Sequence, residues 1–186
     1  TIYDGHQPTL EDLALAERFC KSLRVAIGNK ADILFGTHGQ FSPSGAIRMA
    51  RKLEKYNPLW FEEPIPPESA RNMAEVSKST SIPIATGERL TTKYEFSEIL
   101  RSGAASILQP ALGRVGGIWE AKKIAAIAEV FGAQLAPHLY AGPIEWAANI
   151  QLSATIPNFL VLESIQTGDG FHSKLLKSKI LWEAGY

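Results

Sequence analysis

Glu62, Glu88 and His138 are the residues whose types and positions could do chemistry. Each closely follows a short apolar run: Glu62 in F-E-E-P, Glu88 in A-T-G-E-R, His138 in A-P-H-L-Y-A-G-P. Two carboxylates brought together repel unless positive charge lies between them. A hard divalent cation such as Mg²⁺ meets that need, because it takes a few carboxylates plus water and substrate oxygens. The alternative is a pair of surface glutamates neutralised by basic side chains, with Arg89 and Lys93 at hand. Imidazole titrates near working pH, so His138 is a candidate general base or acid. A neutral histidine packed under a loop is the competing reading. Glu163, in L-E-S, ends a further apolar run. It suits a hydrogen bond to substrate, an orienting bond to His138, or a plain loop ion pair.

Two weaker candidates accompany these. His38 lies in F-G-T-H-G-Q-F, where Gly36 and Gly39 let the backbone approach a ligand closely, and it could supply a second proton-transfer group. The run Gly113-Arg114-Val115-Gly116-Gly117 opens a helix, whose first amides can hold an anion with help from Arg114. That run matches no phosphate-loop spacing, so tight strand-to-helix packing is the preferred reading. Trp60, Phe61, Trp119 and Phe131 sit in apolar patterns and are expected in the core.

The elements that must position these residues alternate along the chain. The helical period predicts a first helix capped by Thr9, with Asp12 in capping-box position. Leu10, Leu13, Ala16, Phe19, Leu23 and Ile27 mark its apolar face. Strands are predicted at 33–35, 59–61, 82–85, 106–108, 134–136 and 159–162, and helices at 43–55, 68–79, 93–102, 117–131 and 144–154. The tail, 166–186, has no clean period. Strands alternating with helices of this length indicate βαβ units and a parallel sheet, and continuous apolar strands indicate a sheet covered on both faces. The strand ends, Gly36, Glu62, Glu88, Ala111, His138 and Glu163, follow one another at steps of 26, 26, 23, 27 and 25 residues. One βα unit per step predicts an α/β fold of the (β/α) TIM-type barrel, whose strand C-termini converge on one mouth. No G-x-G-x-x-G follows the first strand, which argues against a dinucleotide site.

Six strands are two short of eight. The chain is therefore expected to be a partial barrel, residues 1–186, with two strands and a capping domain upstream. An open half-barrel completed by a second chain is the alternative. Of 186 residues, 45% are hydrophobic, and 19 basic residues balance 19 acidic ones. That composition suits a globular domain and gives no polyanion-binding stripe, so no nucleic-acid partner is expected. No apolar run nears the ~20 residues of a membrane span, so no membrane partner is expected. The lone Cys20 fits a reducing, cytoplasmic setting.

Taken together, F-E-E-P, I-P-I-A-T-G-E-R-L, Q-P-A-L-G-R-V-G-G-I, A-P-H-L-Y-A-G-P-I and P-N-F-L-V-L-E resemble the barrel domain of the enolase superfamily, mandelate racemase/muconate lactonizing branch. Among its members they look most like the acid-sugar dehydratases of the D-galactonate dehydratase type. The resemblance covers roughly residues 30–165, with the motifs in family order, one per strand.

It implies Mg²⁺-dependent removal of the proton alpha to a carboxylate, with an enediolate stabilised by the metal and water eliminated. It implies metal ligands at Glu62 and Glu88, a general base at His138, and an acid for the departing hydroxyl at His38. Glu163 would hydrogen-bond the carboxylate or intermediate. Arg89, Arg114 and Tyr140 are expected to contact a small acid-sugar substrate, and the parent protein is expected to be a homo-oligomer. Two positions depart from the family pattern. Its D-x-H-G motif reads G-T-H-G here, so the first metal ligand is replaced by Gly36. The aspartate that follows Q-P and pairs with the base histidine is replaced by Ala111. Two further readings follow from these departures. One is an isomerase, cycloisomerase or racemase acting on an acid sugar with a different proton-transfer arrangement. The other is a non-catalytic homologue that keeps the fold.

Overall fold

A computed structural model of the chain describes residues 6–164 and 171–178. Five strands form one parallel sheet in sequence order: β1 (Leu34–Gly36), β2 (Trp60–Glu62), β3 (Ile84–Thr86), β4 (Ile107–Leu108) and β5 (Gln134–Leu135). Helices α1 (Leu10–Ile27), α2 (Pro43–Leu53), α3 (Ala70–Ser77), α4 (Lys93–Ser102), α5 (Leu112–Val115), α6 (Ile118–Val130) and α7 (Pro143–Ser153) alternate with them. This is the α/β alternation that the periodicity predicts. The 166–186 tail lies largely outside the described residues.

Local chemistry sets the helix starts. Thr9 and Thr92 form reciprocal capping boxes with Asp12 and Glu95, while Ser42 and Ser69 accept the Gly45 and Asn72 amides. Pro43 and Pro143 occupy the first turns of α2 and α7, where a missing N–H costs nothing.

Successive strand residues point to opposite faces. Phe61, Ile84, Leu108 and Leu135 join the main core with Met49, Met73, Phe96 and Ile124 from the helices. Trp60, Ala85, Ile107 and Ala136 form a second, smaller cluster. Glu62 has the parity of Trp60, and Glu63 that of Phe61. The two adjacent glutamates are thereby sent to different environments.

Three expectations are corrected. The predicted sixth strand is not a strand. Phe159 makes one isolated bridge to Leu135, and Leu160 donates to the Leu135 carbonyl at 2.8 Å, so an extended segment still runs parallel beside β5. On α1 only Leu13 and Cys20 are buried, with Ala16 packed against the core, whereas Leu10, Phe19 and Leu23 are exposed. The helix packs on α2 along that narrow stripe, so an apolar pattern wider than the stripe stays uncovered. Trp119 and Phe131 are exposed rather than core, at 72% and 49%. The residues of α6 that meet the core are Ala121, Ile124, Ala125 and Ala128 instead.

Candidate active site

The strand ends bring His38, Glu62, Glu88, His138 and Glu163 to one mouth. Gly36 ends β1 in register with Glu62. A Cβ built on Gly36 would lie 3.3 Å from the Glu62 Cβ and 3.5 Å from its Oε1. Position 36 therefore faces Glu62 directly and borders this cluster. Two residues on, the chain turns through left-handed conformations at His38 (φ 50°) and Gly39 (φ 71°). That turn is pinned where the Thr37 hydroxyl (3.1 Å) and the Gly39 amide (2.7 Å) donate to the Glu63 carbonyl.

Glu88 follows Gly87, whose φ of 140° is favourable only for glycine. Its Oε1 lies 3.5 Å from Nδ1 of His38, and its Oε2 lies 3.3 Å from Nδ1 of His138. Glu88 thus stands between two imidazoles. His138 is held by its amide, which donates to the Pro110 carbonyl at 3.2 Å, and by a bridge to Ala111. Its Nδ1 lies 2.8 Å from Oε2 of Glu163, and its ring stacks on Tyr140 with centroids 5.2 Å apart. Burial works to lower the His138 pKa. The bond from Glu163 and the charges of Glu163, Glu88 and Glu62 outweigh it and raise the pKa above the ordinary histidine value.

Glu62 accepts from the Gln109 side-chain amide at 2.7 Å. Burial raises its carboxyl pKa, and the negative charges of Glu163 and Glu88 add to this, against the stabilising bond from Gln109. A half-buried carboxylate beside two others is poorly compensated, which is the electrostatic situation a hard cation relieves. Ligand atoms of His38, Glu63 and Glu88 also lie within 4.8 Å of one another. Glu63 is the poorer donor of the two adjacent glutamates. It is 1% exposed, and its Oε2 already accepts from Arg89 Nε at 2.9 Å and forms an ion pair with Nη2 at 2.7 Å. A cation there would sit against a guanidinium. Glu62 and Glu88, with His38 3.5 Å from Glu88, are oxygen and nitrogen donors of the kind that could hold a divalent ion.

Arg89, expected as a substrate contact, pairs with Glu63 at 2.7 Å. Lys93, the other basic side chain considered for the glutamates, pairs with Glu120 at 2.9 Å. Arg114 is exposed on α5, and among the described residues no contact joins it to the cluster. A Cβ on neighbouring Gly113 would meet Oε2 of Glu145 at 2.5 Å, so the glycine run packs against a carboxylate. That favours the packing reading over anion binding. Two mouth residues escape sequence reasoning. Glu63 hides behind Glu62 in E-E-P, and Gln109 sits in Q-P-A, where the altered third residue draws attention. Strand parity could have separated the two glutamates. Nothing local points from Gln109 to Glu62.

Comparison with known proteins places this arrangement. The enolase C-terminal domain-like family model matches residues 4–186. The D-gluconate/D-galactonate dehydratase of Picrophilus torridus is 39% identical over 145 residues, which are 78% of this chain and 37% of that protein. The D-galactonate dehydratase of Ralstonia nicotianae is 42% identical over 130 residues, 70% of this chain and 34% of that protein. The solved mandelate racemase/muconate lactonizing enzyme from Sulfitobacter sp. superposes with a TM-score of 0.92 at 62% identity, covering 97% of this chain and 45% of that one. The chain thus spans less than half the length of these relatives. Among the described residues no helix is long and apolar enough to cross a membrane. The chain belongs to the enolase C-terminal domain-like family, in its mandelate racemase/muconate lactonizing branch.

Proposed function

We propose that the protein carrying this chain is a hydro-lyase that dehydrates a sugar acid. The observation that carries the reading is the setting of His138, whose Nδ1 is held by Glu163 at 2.8 Å and flanked by Glu88 at 3.3 Å. A carboxylate on Nδ1 fixes the tautomer with hydrogen there, so Nε2 is the basic nitrogen.

In this mechanism Nε2 of His138 takes the proton alpha to the substrate carboxylate. As the Cα–Cβ double bond forms, the Cβ–O bond breaks, and the departing hydroxyl leaves as water with a proton from His38. The enol so formed tautomerises to a keto acid. Glu62 and Glu88 would hold Mg²⁺, which when bound supplies positive charge against the negative charge that develops on the substrate carboxylate. Glu163 keeps the His138 ring oriented through proton transfer. His38, 66% exposed on a turn pinned to Glu63, can reach a substrate hydroxyl, with Glu88 Oε1 3.5 Å from its Nδ1. Dehydratase names among the relatives support the reaction class.

The test is product analysis over a panel of sugar acids with Mg²⁺ present. The expected product is a keto acid lighter than substrate by one water, formed by wild type and abolished by His138→Ala. An isomer of unchanged mass would replace dehydration with isomerisation. Absence of turnover across the panel would favour a non-catalytic homologue.

A further inference from the structure

We infer that Gln109 is a positioning residue for Glu62, holding that carboxylate in the orientation in which it can act as a metal ligand. The inference rests on the reading of Glu62 as a ligand and goes beyond it. Gln109 follows β4 and is fully buried. Its Nε2 donates to Oε2 of Glu62 at 2.7 Å, a contact between residues 47 apart in sequence. Strand β3 lies between their strands, so the side chain reaches across a whole βα unit.

The backbone is built to hold it there. The Gln109 amide donates to the Thr86 carbonyl at 2.9 Å. Neighbouring Gly87 allows the approach, since a Cβ on it would lie 2.9 Å from the Gln109 nitrogen.

The amide's other end is the telling feature. Gln109 Oε1 is buried and has no hydrogen-bond partner among the described residues. Buried polar atoms are nearly always paired, and an amide satisfied at only one end is a poor choice for packing alone. Leucine would fill similar space without an orphaned acceptor. Flipping the amide does not help, because it would set Oε1 against the Glu62 carboxylate. The orientation is thus dictated by Glu62, and the contact with Glu62 explains why an amide stands here. Partners of this kind, one bond removed from a metal, orient the ligand and tune its affinity.

The test uses the full chain, with Mg²⁺ as the probe in titration calorimetry and a thermal melt without metal. Gln109→Leu is expected to melt at or above wild type without Mg²⁺, yet to bind Mg²⁺ roughly 10–100-fold more weakly. Gln109→Met, flexible enough to adapt to the same space, repeats the test if the leucine variant does not fold. Glu62→Gln is the control. If it weakens Mg²⁺ while both Gln109 variants bind as wild type, the positioning role is overturned and the metal assignment stands. If Glu62→Gln itself leaves Mg²⁺ affinity unchanged, the metal assignment falls and this inference falls with it.

Discussion

Glu163 lies 2.8 Å from Nδ1 of His138, reaching the imidazole from the end of the extended segment beside β5. On the other side of His138 stands Ala111, bridged to it through the backbone and offering only a methyl group. Glu163 supplies a carboxylate to Nδ1, so a methyl group at position 111 does not leave that nitrogen without a negatively charged neighbour.

Glu163→Gln is accordingly expected to lower the pKa of His138 in metal-free protein. The substitution removes the bond and the charge that oppose burial. The sign for stability follows. With the folded value raised, the contact stabilises the fold below the unfolded histidine value of 6.5 and is lost as pH rises through the folded value. Histidine NMR titration of wild type and variant checks this. An unchanged His138 midpoint would mean the contact does not govern its protonation. Mg²⁺ is expected to lower the same midpoint by neutralising Glu88 and Glu62.

Gly36→Asp introduces a carboxylate that faces Glu62. The new Cβ would sit 3.3 Å from the Glu62 Cβ, close enough that Glu62 must give by a few tenths of an ångström. The variant is expected to bind Mg²⁺ at least about tenfold more tightly, since a carboxylate within ~4 Å of a cation is worth well over 1 kcal/mol. It should also melt lower than wild type without metal, because one more negative charge joins the cluster. Calorimetry and melts with and without Mg²⁺ read both effects.

Arg89→Met leaves Glu63 buried at 1% exposure with no counter-charge. We expect a loss of about 3–5 kcal/mol in urea unfolding. Adding Glu63→Gln to that variant should recover part of it, because the stranded charge is then gone. A double variant no more stable than the single would show that the ion pair is not the source of the loss.

Gly87→Ala places a Cβ 2.7 Å from the Phe96 ring and 2.9 Å from the Gln109 nitrogen, at a φ of 140°. Strain and overpacking should cost about 1–3 kcal/mol each. Because Glu88 follows directly and Gln109 is the residue struck, Mg²⁺ affinity should fall too. An unfolding curve and a Mg²⁺ titration measure the two losses separately.

Much of this molecule is legible in sequence because the signals are local. Capping residues such as Thr9 and Thr92 act over three or four positions, and helical period and apolar runs act over one element. They locate the elements, and the repeated βα step predicts Glu62, Glu88, His138 and Glu163 on one side of the sheet before any contact is known. What a contact does is decided by packing. Which of the adjacent Glu62 and Glu63 is buried against Arg89 depends on strand parity at a β2 only three residues long. Whether the apolar side chains of α1 and α6 are covered depends on which neighbours lie beside them, so Phe19 and Trp119 are exposed despite their pattern. The bond from Gln109 to Glu62 joins strands that are not even adjacent in the sheet. No periodicity within a strand or helix encodes a distance between two such ends. Only the folded sheet brings them to 2.7 Å.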